Sequence, residues 1–396
     1  MKHRVTYLDL KKEAVMEVFH FGAGSIGRGF IGKILSENSY NVTFIDVNEE
    51  IISQLNKDNK YTVETVGANS KTETVKNVCG LLSGDLEGIK RKVPETDLIT
   101  TAVGANVLEI IAPTVAEIIK FRKNSGITRY INIIACENKL EASTFLKSKV
   151  EKYLDENEKE YMETYAGFVN SAVDRLIPPR KIEGKEATYT IVEDFNEWIA
   201  DETLIKGELT LKGMIKKKDL TPYIERKLFT VNTGHIIAAH MGVYMNYETI
   251  DQAVCDEKIR KIIIGAMEES GAVLIKRYGF DKEEHEKYIQ KILKRFENKY
   301  LGDSTVRVGR EPLRKLGVRE RLIRPLLGTL EYGLPNENLL TGISYALKYD
   351  VPSDRESVEL QEMLKTAGVE ETLKKVTENS IPDELITIIK SNYEKL

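Results

Sequence analysis

The sequence is poor in cysteine and in long apolar runs, and each shortage excludes a class of protein. Its 396 residues include three cysteines, Cys79, Cys136 and Cys255, which are widely spaced and form no CxxC pair. This distribution argues against a disulfide framework and a structural zinc site, and it favours a reducing cytoplasm. No apolar run reaches the roughly 20 residues that a membrane-spanning helix needs, so we expect no membrane span.

The chain also lacks an excess of charge of one sign. Lys and Arg number 58 and Asp and Glu number 62, which gives a formal net charge of −4 at pH 7. Such a balance gives no electrostatic reason to expect nucleic acid or an anionic membrane as a partner.

What the sequence does contain is enough apolar material for two domains. Hydrophobic residues make up 41% and charged residues 30%, as in soluble globular proteins, and 396 residues exceed one ordinary core. Residues 1–15 are charged and lack the apolar core of a signal peptide, so we interpret them as a leader or extension. Short β-rich runs alternate with helical stretches in the first half, and helical periodicity dominates the second half. This change predicts a boundary near Lys206, between domains of residues 16–205 and 206–396.

The first domain alternates short β-rich runs with helical stretches. Apolar runs at residues 18–21, 42–46, 97–103 and 130–136 predict the parallel strands of a doubly wound α/β sheet of the Rossmann type. Residues 61–66 and 72–78 flank Gly67-Ala68-Asn69, which predicts a β-hairpin inserted in that sheet. Residues 188–192 predict a later, antiparallel strand.

The second domain has helical periodicity. Apolar positions recur every three or four residues over residues 223–244, 258–278 and 285–296, and again beyond Asn336. We therefore expect a mostly α-helical C-terminal domain.

A glycine-rich turn follows the first predicted strand. Gly22, Gly24 and Gly27 fit GxGxxG, in which the glycines permit a tight turn, approach of a pyrophosphate and close helix packing. An acid about twenty residues later, Asp46, suits the ribose hydroxyls of NAD and repels the 2′-phosphate of NADP. The alternatives are a structural glycine turn and a strand-ending aspartate. We expect NAD to be bound by Gly22, Ala23, Gly24, Ser25, Ile26, Gly27, Arg28, Gly29 and Asp46.

Three polar side chains mark a candidate chemical centre in the second domain. On an α-helix, Lys227, Asn232 and His235 lie at roughly 0°, 140° and 80°, within one broad face. A lysine made neutral by burial can accept a proton, and an asparagine amide can donate to a substrate oxygen. The alternative is an exposed lysine, a packing asparagine and a core histidine. His235 and His240 are about 140° apart and do not converge on a metal ion, so we expect no metal.

The pattern Lys227-x4-Asn232-x2-His235 resembles the signature of the polyol-specific long-chain dehydrogenase/reductase family. Other segments are similar to that family along nearly the whole chain from Met16, and the last of them matches its branch that acts on mannitol 1-phosphate. They are the residues at 20–30, Ala135-Cys136-Glu137-Asn138, Val173-Asp174-Arg175-Leu176-Ile177-Pro178 and Arg310-Glu311-Pro312-Leu313-Arg314-Lys315-Leu316.

The resemblance implies an NAD-dependent oxidoreductase and a role for each matched residue. Lys227 would be the general base in alcohol oxidation and the acid in ketone reduction. Asn138 and Asn232 would stabilise the developing oxyanion, and His235 would bind and orient the substrate.

The resemblance also implies substrate-binding residues. Asp174 would bind substrate hydroxyls, although a salt bridge with Arg175 is the alternative. Arg307 and Lys315 belong to a run of seven basic residues and are the first candidates for a phosphate. The implied reaction interconverts D-mannitol 1-phosphate and D-fructose 6-phosphate in the cytoplasm.

Two alternatives stay open. One is a hexuronate reductase or an unphosphorylated mannitol dehydrogenase of the same family, and the other is a non-catalytic module that senses NAD(H). The expected partners are small molecules, a phosphorylated polyol or ketose, with no nucleic acid and no membrane, and the chain would act as a monomer or a small homo-oligomer.

Overall fold

The computed structural model describes residues 16–67, 70–177 and 184–396. The predicted leader, residues 68–69 of the predicted hairpin turn and Pro178 lie outside the described residues. Two compact units divide the chain, the first ending at Leu220 and the second beginning at Thr221. This division lies further along the chain than Lys206, because the last strand before it pairs within the first unit.

The first unit contains twelve strands and six α-helices among its described residues. The strands are β1 (Glu17–Phe21), β2 (Asn41–Asp46), β3 (Lys60–Val66), β4 (Lys71–Lys76), β5 (Val78–Leu82), β6 (Thr96–Thr101), β7 (Ile131–Ala135), β8 (Ala166–Val169), β9 (Ser171–Asp174), β10 (Thr190–Glu193), β11 (Glu197–Asp201) and β12 (Ile215–Lys217). The helices are α1 (Lys33–Glu37), α2 (Glu49–Asp58), α3 (Leu86–Lys92), α4 (Leu108–Asn124), α5 (Ala142–Val150) and α6 (Glu156–Tyr165).

The main sheet is parallel and six-stranded, in the order β5-β2-β1-β6-β7-β8. Side chains alternate between its faces, so Val18 packs into one core with Phe30 while Phe19 and Phe21 pack into another with α4. Burial on both faces explains why its strands are continuous apolar runs. The predicted doubly wound sheet is confirmed.

The predicted hairpin exists, but it does not lie in the main sheet. Strands β3 and β4 are antiparallel, and they form a separate three-stranded sheet in the order β10-β3-β4. Strand β10 pairs parallel with β3, so the antiparallel prediction for residues 188–192 was wrong. A two-residue alternation shows which face of a strand is buried but carries no information about the direction of its neighbour.

A third sheet contains the last strand of the first unit, β12. Its order is β12-β11-β9, with β11 antiparallel to β9 and parallel to β12. Because β12 pairs with β11, residues 206–220 belong with the first unit.

The second unit is helical, as predicted. Its α-helices are α7 (Thr221–Arg226), α8 (Thr233–Tyr244), α9 (Ile250–Cys255), α10 (Glu257–Tyr278), α11 (Lys282–Phe296), α12 (Thr305–Gly309), α13 (Pro312–Lys315), α14 (Ile323–Tyr332), α15 (Glu337–Leu347), α16 (Arg355–Val376) and α17 (Asp383–Glu394). Helix α8 is apolar almost all round and packs against α9, α10, α12 and α15, as expected of a central helix.

The helices of the described segments are too short or too polar to span a membrane.

Candidate active site

The glycine turn after β1 is shaped by the backbone around it. Gly22 has φ of +98°, and a Cβ there would lie 2.5 Å from the carbonyl oxygen of Ala102. A Cβ on Gly27 would lie 2.0 Å from the carbonyl oxygen of Gly22. Any side chain at these two positions would push the turn apart, so the fold itself requires both glycines.

Gly24 differs from these two glycines. It is exposed, its φ is not positive, and a Cβ built on it meets no atom within 4 Å. The protein therefore imposes no steric demand for glycine here, and the space beside Gly24 is open at the start of the helix that includes Ser25 and Ile26. Backbone N–H groups of a first helical turn can bind phosphate, and at Gly24 no described side chain or backbone atom blocks the approach of such a group.

Asp46 lies at the end of β2 and contacts this turn. Its Oδ2 accepts a hydrogen bond from the backbone N–H of Ala23 at 2.6 Å, and its Oδ1 accepts one from Asn48 at 2.9 Å. The carboxylate therefore fixes the turn against β2 and keeps a negative charge at the carboxyl end of the strand. Both the local role and the predicted ribose-binding role are compatible with this geometry.

Arg28 and Gly29 face the interior of the first unit. The buried guanidinium of Arg28 donates to the carbonyl oxygens of Ala23 and Thr188, the latter at 3.1 Å. A Cβ on Gly29 would lie 2.6 Å from Cγ1 of Val192. The described contacts of these two residues hold the turn onto β10, which is a different role from the direct cofactor contact we predicted.

Glu137 ties together the ends of two neighbouring strands. It is buried, and its carboxylate accepts hydrogen bonds from the hydroxyl of Thr101 at 2.8 Å and from the backbone N–H groups of Val103 and Gly104 at 2.9 and 2.8 Å. Sequence reasoning gave Glu137 no role of its own, although an acid at the carboxyl end of a parallel strand was a usable signal. Asn138 follows it and is exposed.

Asp174 ends β9 in a buried position. The neighbouring Arg175 donates to the carbonyl oxygens of Gly29 and Glu193, at 3.0 and 2.8 Å. The guanidinium of Arg175 therefore links the backbone at Gly29, at the end of the glycine-rich segment, to the backbone at Glu193.

The helix that carries Lys227 and Asn232 is not a regular α-helix. Residues Lys227–Asn232 form a π turn between α7 and α8, and the N–H of Thr233 donates to the carbonyl oxygen of Leu228, five residues earlier. In a π turn, residues five apart lie one above the other, whereas α-helical geometry separates them by about 140°. Lys227 and Asn232 therefore share one face more closely than an α-helix allows, and the expected angles were wrong.

A buried ion-pair network anchors the start of this helix. Glu225 accepts hydrogen bonds from Arg277 at 2.8 Å, from the hydroxyl of Tyr278 at 2.7 Å and from Arg324. Its side chain is only 3% exposed, so the two guanidinium groups compensate a carboxylate that water cannot reach. The network holds the residues just before Lys227 in place.

His235 lies three residues after Asn232, on α8. Its ring stacks on Phe296 with centroids 5.0 Å apart, and its Nε2 lies 2.9 Å from Oδ2 of Asp303. The other oxygen of Asp303 accepts hydrogen bonds from Arg307. The structure thus connects two predicted residues, His235 and Arg307, through Asp303, which sequence reasoning missed. The available signal was an acid four residues before an arginine.

Lys315 is buried rather than displayed on the surface. Its Nζ donates to the carbonyl oxygens of Val308, at 2.7 Å, and Arg310. Burial, together with the charges of Arg321 and Arg314, lowers the pKa of Lys315 to about 7. Lys315 therefore supports the segment that follows Arg307.

Much of the predicted basic run is paired with acids. Arg314 pairs with Glu311 and Glu320, Arg321 also pairs with Glu320, and Arg324 pairs with Glu225. Arg307 keeps a 42% exposed side chain although it pairs with Asp303.

Known proteins share this architecture. Family models for the mannitol dehydrogenase Rossmann domain and the mannitol dehydrogenase C-terminal domain match residues 16–213 and 219–396. The crystal structure of a D-sorbitol dehydrogenase in substrate-free form is similar with a TM-score of 0.82 and 17% identity, over 96% of this chain and 93% of that chain. A Pseudomonas fluorescens mannitol 2-dehydrogenase, solved with NAD and D-mannitol, is similar with a TM-score of 0.75 and 15% identity, over 97% and 92%.

Identities this low show a common fold, whereas the family models identify the lineage of both units. The glycine turn, the open space at Gly24 and the acid at the end of β2 fit an NAD-binding Rossmann domain, and NAD is the cofactor. The two matched segments cover almost all of the chain from Met16 onward, and this oxidoreductase belongs to the mannitol dehydrogenase family.

Proposed function

We propose that the chain is a mannitol-1-phosphate 5-dehydrogenase, which interconverts D-mannitol 1-phosphate and D-fructose 6-phosphate with NAD in the cytoplasm. The observation that carries the proposal is the connection of His235 to Arg307 through Asp303. This connection supports a guanidinium beside the histidine that orients the substrate. Arginine binds phosphate through paired charge-assisted hydrogen bonds.

The proposed reaction is the two-electron oxidation of a substrate alcohol to a ketone, or its reverse. NAD, which the glycine turn and Asp46 would hold, would supply the hydride acceptor for oxidation of the carbinol carbon, and the substrate hydroxyl loses its proton as the ketone forms. Lys227 receives the hydroxyl proton in oxidation and returns it in ketone reduction. The half-buried position of Lys227 is consistent with an amine that gives up its charge when the substrate excludes water.

Asparagine amides stabilise the charge that grows on the reacting oxygen. The π turn brings positions 227 and 232 onto one face of the helix, which supports a shared contact of the Asn232 amide and the Lys227 amine with one substrate oxygen. Asn138 is the second proposed donor, and Asp174 is proposed to bind substrate hydroxyls.

A second candidate is the oxidation of an unphosphorylated hexitol. The similar solved structures are named for D-sorbitol and mannitol, and most of the basic run in this chain is paired with acids. Paired arginines leave less positive charge for a phosphate dianion than their number indicates.

A substrate panel separates the candidates. We expect NADH oxidation with D-fructose 6-phosphate, and a kcat/KM for it about 100-fold or more above that for D-fructose or fructuronate, because a phosphate adds charge-assisted hydrogen bonds. Equal kcat/KM for fructose and fructose 6-phosphate would contradict the phosphate assignment. The absence of turnover with all three, despite NADH binding, would favour the non-catalytic module.

A further inference from the structure

Asp303 bridges His235 of the Lys227-x4-Asn232-x2-His235 motif and Arg307 of the basic run, and no role was predicted from the sequence for Asp303 itself. Its Oδ2 lies 2.9 Å from Nε2 of His235, and its Oδ1 accepts hydrogen bonds from Nε of Arg307 at 3.1 Å and from Nη2. The Asp303 side chain is only 10% exposed, whereas that of Arg307 is 42% exposed. The carboxylate is therefore shielded from water while the guanidinium that it holds remains accessible.

The backbone around Asp303 restrains its side chain. The carbonyl oxygen of Asp303 accepts a hydrogen bond from the N–H of Ile250 at 2.8 Å, and the N–H of Thr305 donates to the carbonyl oxygen of Glu248 at 3.0 Å. The hydroxyl of Thr305 adds a bond of 2.7 Å to the carbonyl oxygen of Tyr247. These bonds hold Asp303 and Thr305 against the first residue of α9 and the segment just before that helix.

The His235 ring is restrained from two directions. Phe296 stacks on its face with an interplanar angle of 13°, and Asp303 meets its edge. Nε2 lies within hydrogen-bond distance of Oδ2, but the N–H direction is not aligned with this oxygen, so the contact is a close electrostatic one rather than a linear hydrogen bond. Because an ionised carboxylate has no proton to donate, a neutral His235 ring at this distance from Oδ2 would carry its proton on Nε2 and leave Nδ1 as an acceptor.

We infer that Asp303 is a positioning residue that selects the tautomer of His235 and holds the guanidinium of Arg307 beside that ring. The inference rests on the proposed substrate-binding roles of His235 and Arg307. Burial alone would raise the pKa of Asp303, but contact with His235 and the charge of Arg307 outweigh burial and lower it. Asp303 therefore stays ionised at neutral pH, as the bridging role requires.

The first test is kinetic and uses the full chain. Asp303→Asn keeps the size of the side chain and removes its charge, so we expect KM for the best substrate of the panel to rise about ten- to hundredfold. The change in kcat should be smaller, and the Kd for NADH should not change. Asp281→Asn is the matched control, because Asp281 is an exposed carboxylate that caps α11. An unchanged KM in a folded Asp303→Asn variant would overturn the inference.

A triple variant, compared with the double variant that keeps Asp303, separates positioning from general destabilisation. In an Arg307→Ala, His235→Gln background, Asp303→Asn should raise KM by less than about twofold, because the two side chains that it positions are already absent. The full ten- to hundredfold effect in that background would assign Asp303 a role independent of His235 and Arg307, and would overturn the inference.

The second test needs no Asp303 variant to fold and no knowledge of the substrate. The chain has five histidines, so ¹⁵N NMR of the wild-type protein can resolve them, and His235→Gln assigns one set of signals. We expect the neutral His235 ring to carry its proton on Nε2, and a proton on Nδ1 would overturn the inference. Fructose 6-phosphate could fail as a substrate without changing this result, which keeps the two proposals separable.

Discussion

Each unit contains a π turn next to its functional residues, and the two turns are built differently. In the first unit, the π turn Gly27–Gly32 follows glycines whose positions are set by contacts with nearby backbone. In the second unit, the π turn Lys227–Asn232 presents side chains, and its surroundings come from residues far along the chain. The hydroxyl of Thr233, for example, donates to the carbonyl oxygen of Arg321 at 2.7 Å.

The two sites differ in how far apart in the sequence the residues lie that hold each turn in place. The residue that fixes the first part of the cofactor turn lies on the next strand, because Asp46 accepts a hydrogen bond from Ala23, while Arg28 and Gly29 connect the following residues to β10 and the residues just before it. The motif helix requires Glu225 to meet Arg277 and Arg324, and His235 to meet Asp303. We therefore expect substitutions in the first unit to change cofactor binding, and substitutions in the second to change chemistry or stability.

The largest expected effect is loss of chemistry from the second unit alone. Lys227→Ala removes the proposed proton carrier, so kcat should fall about 10²- to 10⁴-fold, the usual contribution of a general acid or base. The Kd for NADH, measured by fluorescence titration, should stay close to that of the wild type, because the cofactor turn is in the first unit. Lys282→Ala, which removes an exposed lysine on α11, is the control. Normal turnover by Lys227→Ala would reject the assigned base.

The next effect concerns the stability of the motif helix. Glu225→Gln leaves two guanidinium groups without their buried carboxylate, and we expect it to lower the free energy of unfolding of the second unit by about 3 kcal/mol. Urea unfolding measures this change. Glu331→Gln removes the exposed partner of Arg277 and should have a much smaller effect. Equal effects of the two variants would show that the buried network does not anchor the helix.

Two glycine substitutions test the cofactor turn by contrast. Gly24→Ala meets no protein atom within 4 Å, so thermal stability without cofactor should be unchanged, while NADH affinity should fall about tenfold or more because the methyl group occupies the pyrophosphate space. Gly27→Ala should lower both stability and affinity, because its Cβ would lie 2.0 Å from the carbonyl oxygen of Gly22. Wild-type NADH affinity in Gly24→Ala would mean that the open space is not the pyrophosphate site.

The smallest expected effect concerns the choice between NAD and NADP. Asp46→Asn keeps an oxygen that can accept from Ala23 and removes the negative charge, so the preference for NADH over NADPH should fall about five- to tenfold. The ratio of kcat/KM for the two cofactors measures it. A ratio that does not change would leave Asp46 only its role in the turn.

Much of the fold could be predicted from the sequence, because apolar runs and glycine turns are local signals. Strands β1, β2, β6 and β7 and the long helices of the second unit followed from periodicity alone. Strand β5 was missed, since Gly80 interrupts its apolar run and only Asn77 separates it from β4. The hairpin was predicted in the main sheet and residues 188–192 as an antiparallel strand, and both predictions were wrong. The sheet that a strand joins, and its direction there, depend on contacts with segments far away in the sequence.

The candidate site was predictable only in part, and for a related reason. The motif gave Lys227, Asn232 and His235, but their angular spacing assumed α-helical geometry, and the π turn is a hydrogen-bond pattern without a sequence period. The contact between Asp303 and His235 could not be predicted from the sequence. It arises because α12, which begins two residues after Asp303, packs against α8. Lys315 was predicted as a first candidate for binding the phosphate, whereas its buried Nζ donates to the backbone carbonyl oxygens of Val308 and Arg310.

The central claim is that the Lys227 amine carries the substrate proton, and chemical rescue tests it most directly. Added primary amines, such as methylamine, should restore turnover of Lys227→Ala, with a rate that rises with amine concentration and depends on amine pKa, because a free amine can replace the missing acid or base. Turnover of Lys227→Ala that does not respond to any amine, while NADH still binds, would contradict the account.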